Sequence, residues 1–237
     1  KDGDSKVKSF QKDIFDAGIR RINVSLDSLN AKKYSKITGG GELQKVIEGI
    51  AEAQKIGIAP IKINVVAIKG FNDDEIIDFA HLAFSNPLQV RFIEFMPLGN
   101  TKMLNFGEFI SNEDIQNKIA TQYKLKEITK KHLSEGPARL FGIDGGLGLV
   151  GFISPLSHNF CNSCNRLRLT SNGYLRACLL NDEEVNIKNA IKDDGEQTAL
   201  RQLIKDVISR KPKSHCVTAN ENNLRKKCHK EMFQIGG

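Results

Sequence analysis

KINVVAIKGFNDDEIIDFAHLAFSNPLQVRFIEF, Lys62–Phe95, is the stretch that decides the fold. Lys62–Ile68 is rich in β-branched residues and reads as a strand. Asn72 then precedes an acidic first turn, Asp73, Asp74 and Glu75, of a helix running through Phe84. Acidic residues there complement the helix dipole and mark the boundary. Val90–Phe95 reads as the next strand. Upstream, Glu42–Lys55 places Leu43, Val46, Ile47 and Ile50 on one helical face, with Gly57 beyond its end. Ile22, Val24 and Leu26 alternate along a strand over Arg21–Leu26, and Ser9–Ala17 reads as a helix closed by Gly18. Strands and helices alternating at this spacing predict a parallel sheet with crossover helices, an α/β fold.

After Pro97 the pattern changes. A helix over Asn112–Tyr123 is followed by short strands at Arg139–Ile143, Leu149–Ile153, Arg166–Thr170 and Tyr174–Ala177, with Gly and Asn at the turns. Helices are expected over Glu184–Lys192 and Glu196–Ser209. The last stretch, Lys211–Gly237, is polar and basic and ends in Gly236-Gly237. There is no internal repeat or low-complexity segment. Two domains are expected, 1–100 with three βα units and 101–237 with the short strands. Three parallel strands leave an open edge and uncovered helix faces, so an N-terminal portion is expected to be missing from the chain.

The 237 residues, 40% hydrophobic and 27% charged, are ordinary for a globular protein. No apolar run approaches the roughly 20 residues of a membrane helix. The opening KDGDSKVKSF is polar, unlike a signal peptide. Five cysteines without a secretory signal fit a reducing, cytoplasmic setting better than a disulfide scaffold. The net charge of +7, from 35 basic and 28 acidic residues, suits an anionic partner but also simple solubility.

Chemistry concentrates in SHNFCNSCNRLRLTSNGYLRACLL, Ser157–Leu180. Cys161 and Cys164 form C-x2-C, and Cys178 arrives from a hairpin with its turn at Ser171-Asn172-Gly173. Three thiolates suit a [4Fe–4S] cluster with one iron left without a protein ligand. With His158 they also suit a Cys3His zinc site, the commonest use of an isolated C-x2-C and the reading the residues alone favour, and unliganded thiols are the third possibility. Cys216 and Cys228, in the basic tail, read as incidental. Arg166 and Arg168 follow the motif at strand spacing, which directs both guanidiniums to one side. Paired arginine forks there suit phosphate oxygens or a purine edge, or else simply a solvated face.

NVSLDSL (Asn23–Leu29), KINVVAIKGFND (Lys62–Asp73), RFIEFMPLG (Arg91–Gly99) and the cysteine segment together resemble the GTP 3′,8-cyclases, the MoaA family of radical S-adenosylmethionine enzymes of molybdenum cofactor biosynthesis. The resemblance runs from about Gly18 to Gly237. It implies the C-terminal half of an incomplete (βα)6 barrel followed by an α+β region with an auxiliary iron–sulfur cluster. It assigns Cys161, Cys164 and Cys178 to that [4Fe–4S] cluster, and Arg166, Leu167, Arg168 and Lys62 to GTP. Ser25 and Met96 match positions that contact S-adenosylmethionine, and Arg91 is a further candidate for the triphosphate. The resemblance also implies a homodimer and no role for nucleic acid or membrane. The family's C-x3-C-x2-C motif, which cleaves S-adenosylmethionine, does not occur in these residues, so the polypeptide alone is expected to be inactive. The alternative is a non-catalytic zinc module whose basic tail, Lys211–Lys213 and Arg225–Lys230, contacts nucleic acid. That tail holds only Phe233 for stacking.

Overall fold

The computed structural model describes residues 13–96, 108–129, 136–192 and 197–213. Its chain divides into two compact units, Lys1–Phe95 with Phe106–Ser154, and Met96–Asn105 with Pro155–Gly237. In the first unit, β1 (Ile22–Ser25), α1 (Ala31–Thr38), α2 (Leu43–Lys55), β2 (Ile61–Ala67), a 3₁₀ turn (Asp73–Glu75), α3 (Ile76–Ser85) and β3 (Leu88–Glu94) follow in order. Then come α4 (Asn112–Ala120), β4 (Leu125–Ile128), β5 (Arg139–Ile143) and β6 (Leu149–Ile153). The strands form one sheet in the order β1-β2-β3-β6-β5-β4. β1, β2, β3 and β6 run parallel, while β4 and β5 add antiparallel at the far side. The chain is thus a mixed α/β protein built on a parallel sheet. That sheet continues past residue 100, where the sequence pattern changes, because β6 returns to lie beside β3.

Alternation places the core. Ile61, Ile63, Val65 and Ala67 of β2 are buried while Lys62, Asn64 and Val66 between them are only half-buried. The buried set packs with Phe79, Ala80 and Ala83 of α3, Ile50 and Ala53 of α2, and Ile115 and Ile119 of α4 in a single cluster. Phe92 stands at its centre, edge-on to Phe79 and stacked with Phe152 at centroid distances of 6.3 and 6.1 Å. Glu94, fully buried at the end of β3, accepts from the Asn112 N–H at 3.2 Å, a carboxylate on the first turn of α4. Asn112 in turn donates to the Ile153 carbonyl at 2.7 Å, tying α4 to the end of β6.

Two elements lie outside the sequence expectations. Helix α1 starts where the Asn30 side chain accepts from the Lys32 and Lys33 N–H groups, and ends at left-handed Gly39. Strand β4 forms the sheet edge against β5.

The second unit is smaller. β7 (Arg168–Leu169), β8 (Tyr174–Arg176) and β9 (Val185–Asn186) form an antiparallel sheet, followed by α5 (Lys188–Lys192) and α6 (Gln197–Ser209). Leu175, Ile187 and Val207 make its core, with Leu200, Leu203 and Ile204 against them. Three expectations change here. The strand expected over Arg166–Thr170 is only two residues long and excludes Arg166. The strand expected over Tyr174–Ala177 ends at Arg176. The helix expected from Glu184 begins at Lys188, because Val185 pairs with Leu175 and the Asn186 side chain accepts from the Lys188 N–H at 2.9 Å. Most of the helix expected over Ser9–Ala17, the residues Cys216 and Cys228, the segment Arg225–Lys230 and the terminal Gly236-Gly237 lie outside the described residues. Among the described residues, no helix is long and apolar enough to cross a membrane.

Candidate functional site

The residues that alternate with the core of the first unit form a polar face. Register aligns Asn23, Lys62 and Gln89 in one row, and Ser25, Asn64 and Arg91 in the next, which Gly151 of β6 completes. The structure therefore brings Ser25, Lys62 and Arg91 onto one face of one sheet. Arg91 is buried and donates to Gln89 Oε1 at 2.9 Å, which fixes its guanidinium over β3. Gly151 makes room for it: a Cβ there would stand 3.3 Å from Arg91 Cγ and 3.0 Å from Leu140 Cδ2. The Asn64 side-chain carbonyl is buried without a hydrogen-bond partner among the described residues. Sequence reasoning passed over Asn64, although its parity with Lys62 was the signal.

Ligands of parallel α/β sheets collect at the carboxyl ends of the strands. There a polar network shapes the turns. Asp27 Oδ1 accepts from the Val66 N–H at 2.7 Å, and burial raises the Asp27 pKa above its ordinary value against that bond. Asn72 accepts from the Ile68 N–H at 2.7 Å and donates to the carbonyls of Asp27 and Val66 at 2.6 and 2.9 Å. The buried Glu75 carboxylate accepts from Ser28 Oγ at 2.9 Å, from Leu29 N–H at 2.6 Å and from Asn30 N–H at 3.2 Å. Lys33 bridges Asp74 and Glu75 at 2.7 and 3.1 Å. The hydrogen bond to Lys33 lowers the Asp74 carboxyl. Burial works against the Lys33 charge, but the two carboxylates outweigh it and raise the ammonium. The turn after Ser25 is thereby held from three sides.

In the second unit, Cys161 opens a 3₁₀ turn that brings the Cys164 N–H to the Cys161 carbonyl at 3.2 Å. Cys178 follows β8, and all three thiols are half-buried. The β7–β8 turn closes through Thr170 N–H to Tyr174 O and Gly173 N–H to Thr170 O, each 2.9 Å. Gly173 sits there at φ +80°, which favours glycine. Burial raises the Cys178 thiol, the Leu180 N–H opposes it, Cys161 and Cys164 add to the rise, and Lys211 lowers it. Cys161 and Cys164 are thus close enough for their charge to reach Cys178. No three His, Cys, Asp or Glu side chains among the described residues form a group tight enough for a single ion, and His158 is exposed.

Arg168 is half-buried in β7, directly opposite Arg176. Arg166 and Leu167 are exposed and precede the strand, so strand alternation does not align the two guanidiniums of Arg166 and Arg168. Arg166 lies 5.8 Å from the Phe160 ring centroid, and its carbonyl accepts from Lys211 Nζ at 2.7 Å. Met96 follows β3 by two residues, is half-buried and counts with the second unit, so the sheet itself does not gather it with Ser25. Sequence reasoning also passed over Lys211, placed there in a tail, and Arg176.

A parallel sheet with one polar face, joined in sequence to a small cysteine-bearing unit, corresponds to two known families. Residues 8–83 match the Radical SAM superfamily and residues 88–217 match Molybdenum Cofactor Synthesis C. The chain is 46% identical over 223 residues to a GTP 3′,8-cyclase of Syntrophomonas wolfei, covering 93% of this chain and 67% of that protein. It is 41% identical over 222 residues to the enzyme of that name from Alkaliphilus oremlandii (94% and 66%) and 40% identical over 231 residues to that from Alkaliphilus metalliredigens (98% and 69%). The chain belongs to the GTP 3′,8-cyclase family. It spans about two thirds of the length of these curated relatives.

Proposed function

We propose that the chain is the substrate-holding part of a GTP 3′,8-cyclase, an enzyme converting GTP to (8S)-3′,8-cyclo-7,8-dihydroguanosine 5′-triphosphate in molybdenum cofactor biosynthesis. The observation that carries this reading is that Cys161, Cys164 and Cys178 share one small unit, with Arg168 on the hairpin that leads to Cys178. Three thiolates suit a [4Fe–4S] cluster, in which each takes a different iron. The zinc-module alternative finds no support in the relatives, which are GTP 3′,8-cyclases.

In this reading the first unit is the C-terminal half of an incomplete (βα)6 barrel, and the second is the auxiliary-cluster region. Cys161, Cys164 and Cys178 would hold the auxiliary cluster, which when bound would supply an iron without a protein ligand, and S-adenosylmethionine would supply the radical chemistry. Lys62 and Arg91 offer positive charge on the polar sheet face, and Arg166 and Arg168 offer planar forks for phosphate oxygens. By the family resemblance, Ser25 and Met96 would each offer a contact to S-adenosylmethionine. Gln89 orients Arg91 beforehand, which lowers the entropic cost of binding. A cytoplasmic homodimer acting on a small nucleotide, without nucleic acid, completes the proposal.

Calorimetric titration of GTP into the anaerobically reconstituted chain tests it. The loaded chain should carry about four iron and four sulfide. Replacing Lys62 or Arg168 by Ala should weaken GTP binding about tenfold or more, from the loss of a charged hydrogen bond. A loaded chain that ignores GTP, or both variants binding as tightly as wild type, refutes the reading.

A further inference from the structure

Strand β8 ends in Arg176, which is completely buried. Its Nη1 donates to Glu184 Oε1 at 2.9 Å, and its Nη2 donates to the Asn181 carbonyl and to Asp182 Oδ1, the latter at 3.3 Å. All three acceptors lie in 181–184, the segment that leaves Cys178. Between them, Leu180 is buried and turns its N–H toward the Cys178 sulfur. On its other side Arg176 stands directly opposite Arg168 in the β7–β8 ladder. Like charges facing each other across strands repel, and the carboxylates of Glu184 and Asp182 neutralise Arg176 in that position. A cation with no solvent exposure is costly to bury even when paired, and an apolar pair of similar volume would serve folding as well. Its position between a cluster thiolate and a phosphate-binding arginine points to a role in the site.

We propose that Arg176 is a positioning residue for both, clamping residues 181–184 so that Cys178 and the Leu180 N–H are presented to the cluster, and seating Arg168 for its anion. The inference rests on the assignment of Cys178 and Arg168 made under the proposed function. The N–H···S contact tunes the electron density on the sulfur, so displacing the clamp alters the cluster as well as the substrate.

The test uses the reconstituted chain with three readouts: iron and sulfide content, the electron paramagnetic resonance spectrum of the reduced cluster with and without GTP, and GTP affinity. Arg176→Lys keeps the charge and loses the fork. It should load iron and sulfide as wild type does, yet show an altered spectrum and GTP binding weakened about tenfold. Arg176→Met leaves Glu184 buried without its cation and threatens folding, so it is combined with Glu184→Met. The double variant should fold, by circular dichroism and urea midpoint, while still showing the altered spectrum and weakened GTP binding. If both variants match wild type in spectrum and affinity, Arg176 is a fold residue only and the proposal falls. If wild type takes up no cluster or ignores GTP, the functional reading falls and takes the proposal with it.

Discussion

Replacing Glu75 by Ala should unfasten the turn that carries the chain away from Ser25. The carboxylate is the acceptor for the Ser28 hydroxyl and the Leu29 N–H, and it shares the Asn30 N–H with Ser28 Oγ at 3.0 Å. In the Ala variant Asn30 keeps that second acceptor. The Leu29 N–H loses its acceptor, while the Ser28 hydroxyl, on a residue with no solvent exposure, is left only the longer bond to the Asn30 carbonyl at 3.3 Å. Each donor left in the interior costs about 1–3 kcal/mol. The Lys33 ion pair adds little, since Asp74 remains to hold the ammonium. The expected loss is about 2–4 kcal/mol, from one stranded donor and one weakened one. Glu75→Gln keeps one carbonyl but turns an NH2 toward donors, so about half that loss is expected. Native-state hydrogen exchange is the appropriate assay, because a chain of two compact units need not unfold in one step. Exchange at Leu29 and Asn30 should quicken most, and β2 amides should report the loss for the unit as a whole. A loss below about 1 kcal/mol, with the Leu29 amide still protected, would refute the reasoning.

Two further outcomes are expected. Gly148→Ala puts a Cβ 2.3 Å from the Leu88 carbonyl and 2.6 Å from that of Ala83, all backbone that side-chain motion cannot relieve. The variant should lose about 3 kcal/mol or more in urea unfolding. Asp27→Asn should be more stable than wild type at pH 7, by an amount that disappears below about pH 4. The folded Asp27 carboxyl has the higher pKa, so the native state binds its proton more tightly, and wild-type stability falls as pH rises through that window. Asn keeps the acceptor for Val66 N–H and has no such proton to lose. Equal urea midpoints at pH 3 and 7 relative to wild type would contradict this.

Where side chains alternate or repeat against a core, the elements were readable in advance. β5 and β6 begin and end at the expected residues, and β2 and β3 are displaced by one or two. Helix α1 escaped because only Tyr34 among its eight residues is buried, leaving no apolar stripe, although Asn30 and Gly39 marked its ends. β4 escaped because its last three residues are exposed at a sheet edge. Val185-Asn186 read as helix because pairing with β8 overrides local propensity. In the site, Lys62 and Ser25 share a face by parity alone, which the sequence states directly. Arg176 could not be read that way. Its acceptors are only five to eight residues ahead, but they lie in an irregular loop whose path follows from no periodicity.

The separation of polar face and apolar core by parity has an evolutionary consequence. Along β1, β2 and β3, residues 23, 25, 62, 64, 89 and 91 face one way, and the apolar residues between them face the other. A strand slipped by one position would drive Lys62 and Arg91 into the helices and expose Ile63 and Val90, so the polar row itself penalises a misregistered chain. The polar face can therefore change by substitution on one parity while the packing residues of the other stay untouched, and the two sets of changes should combine with little interference.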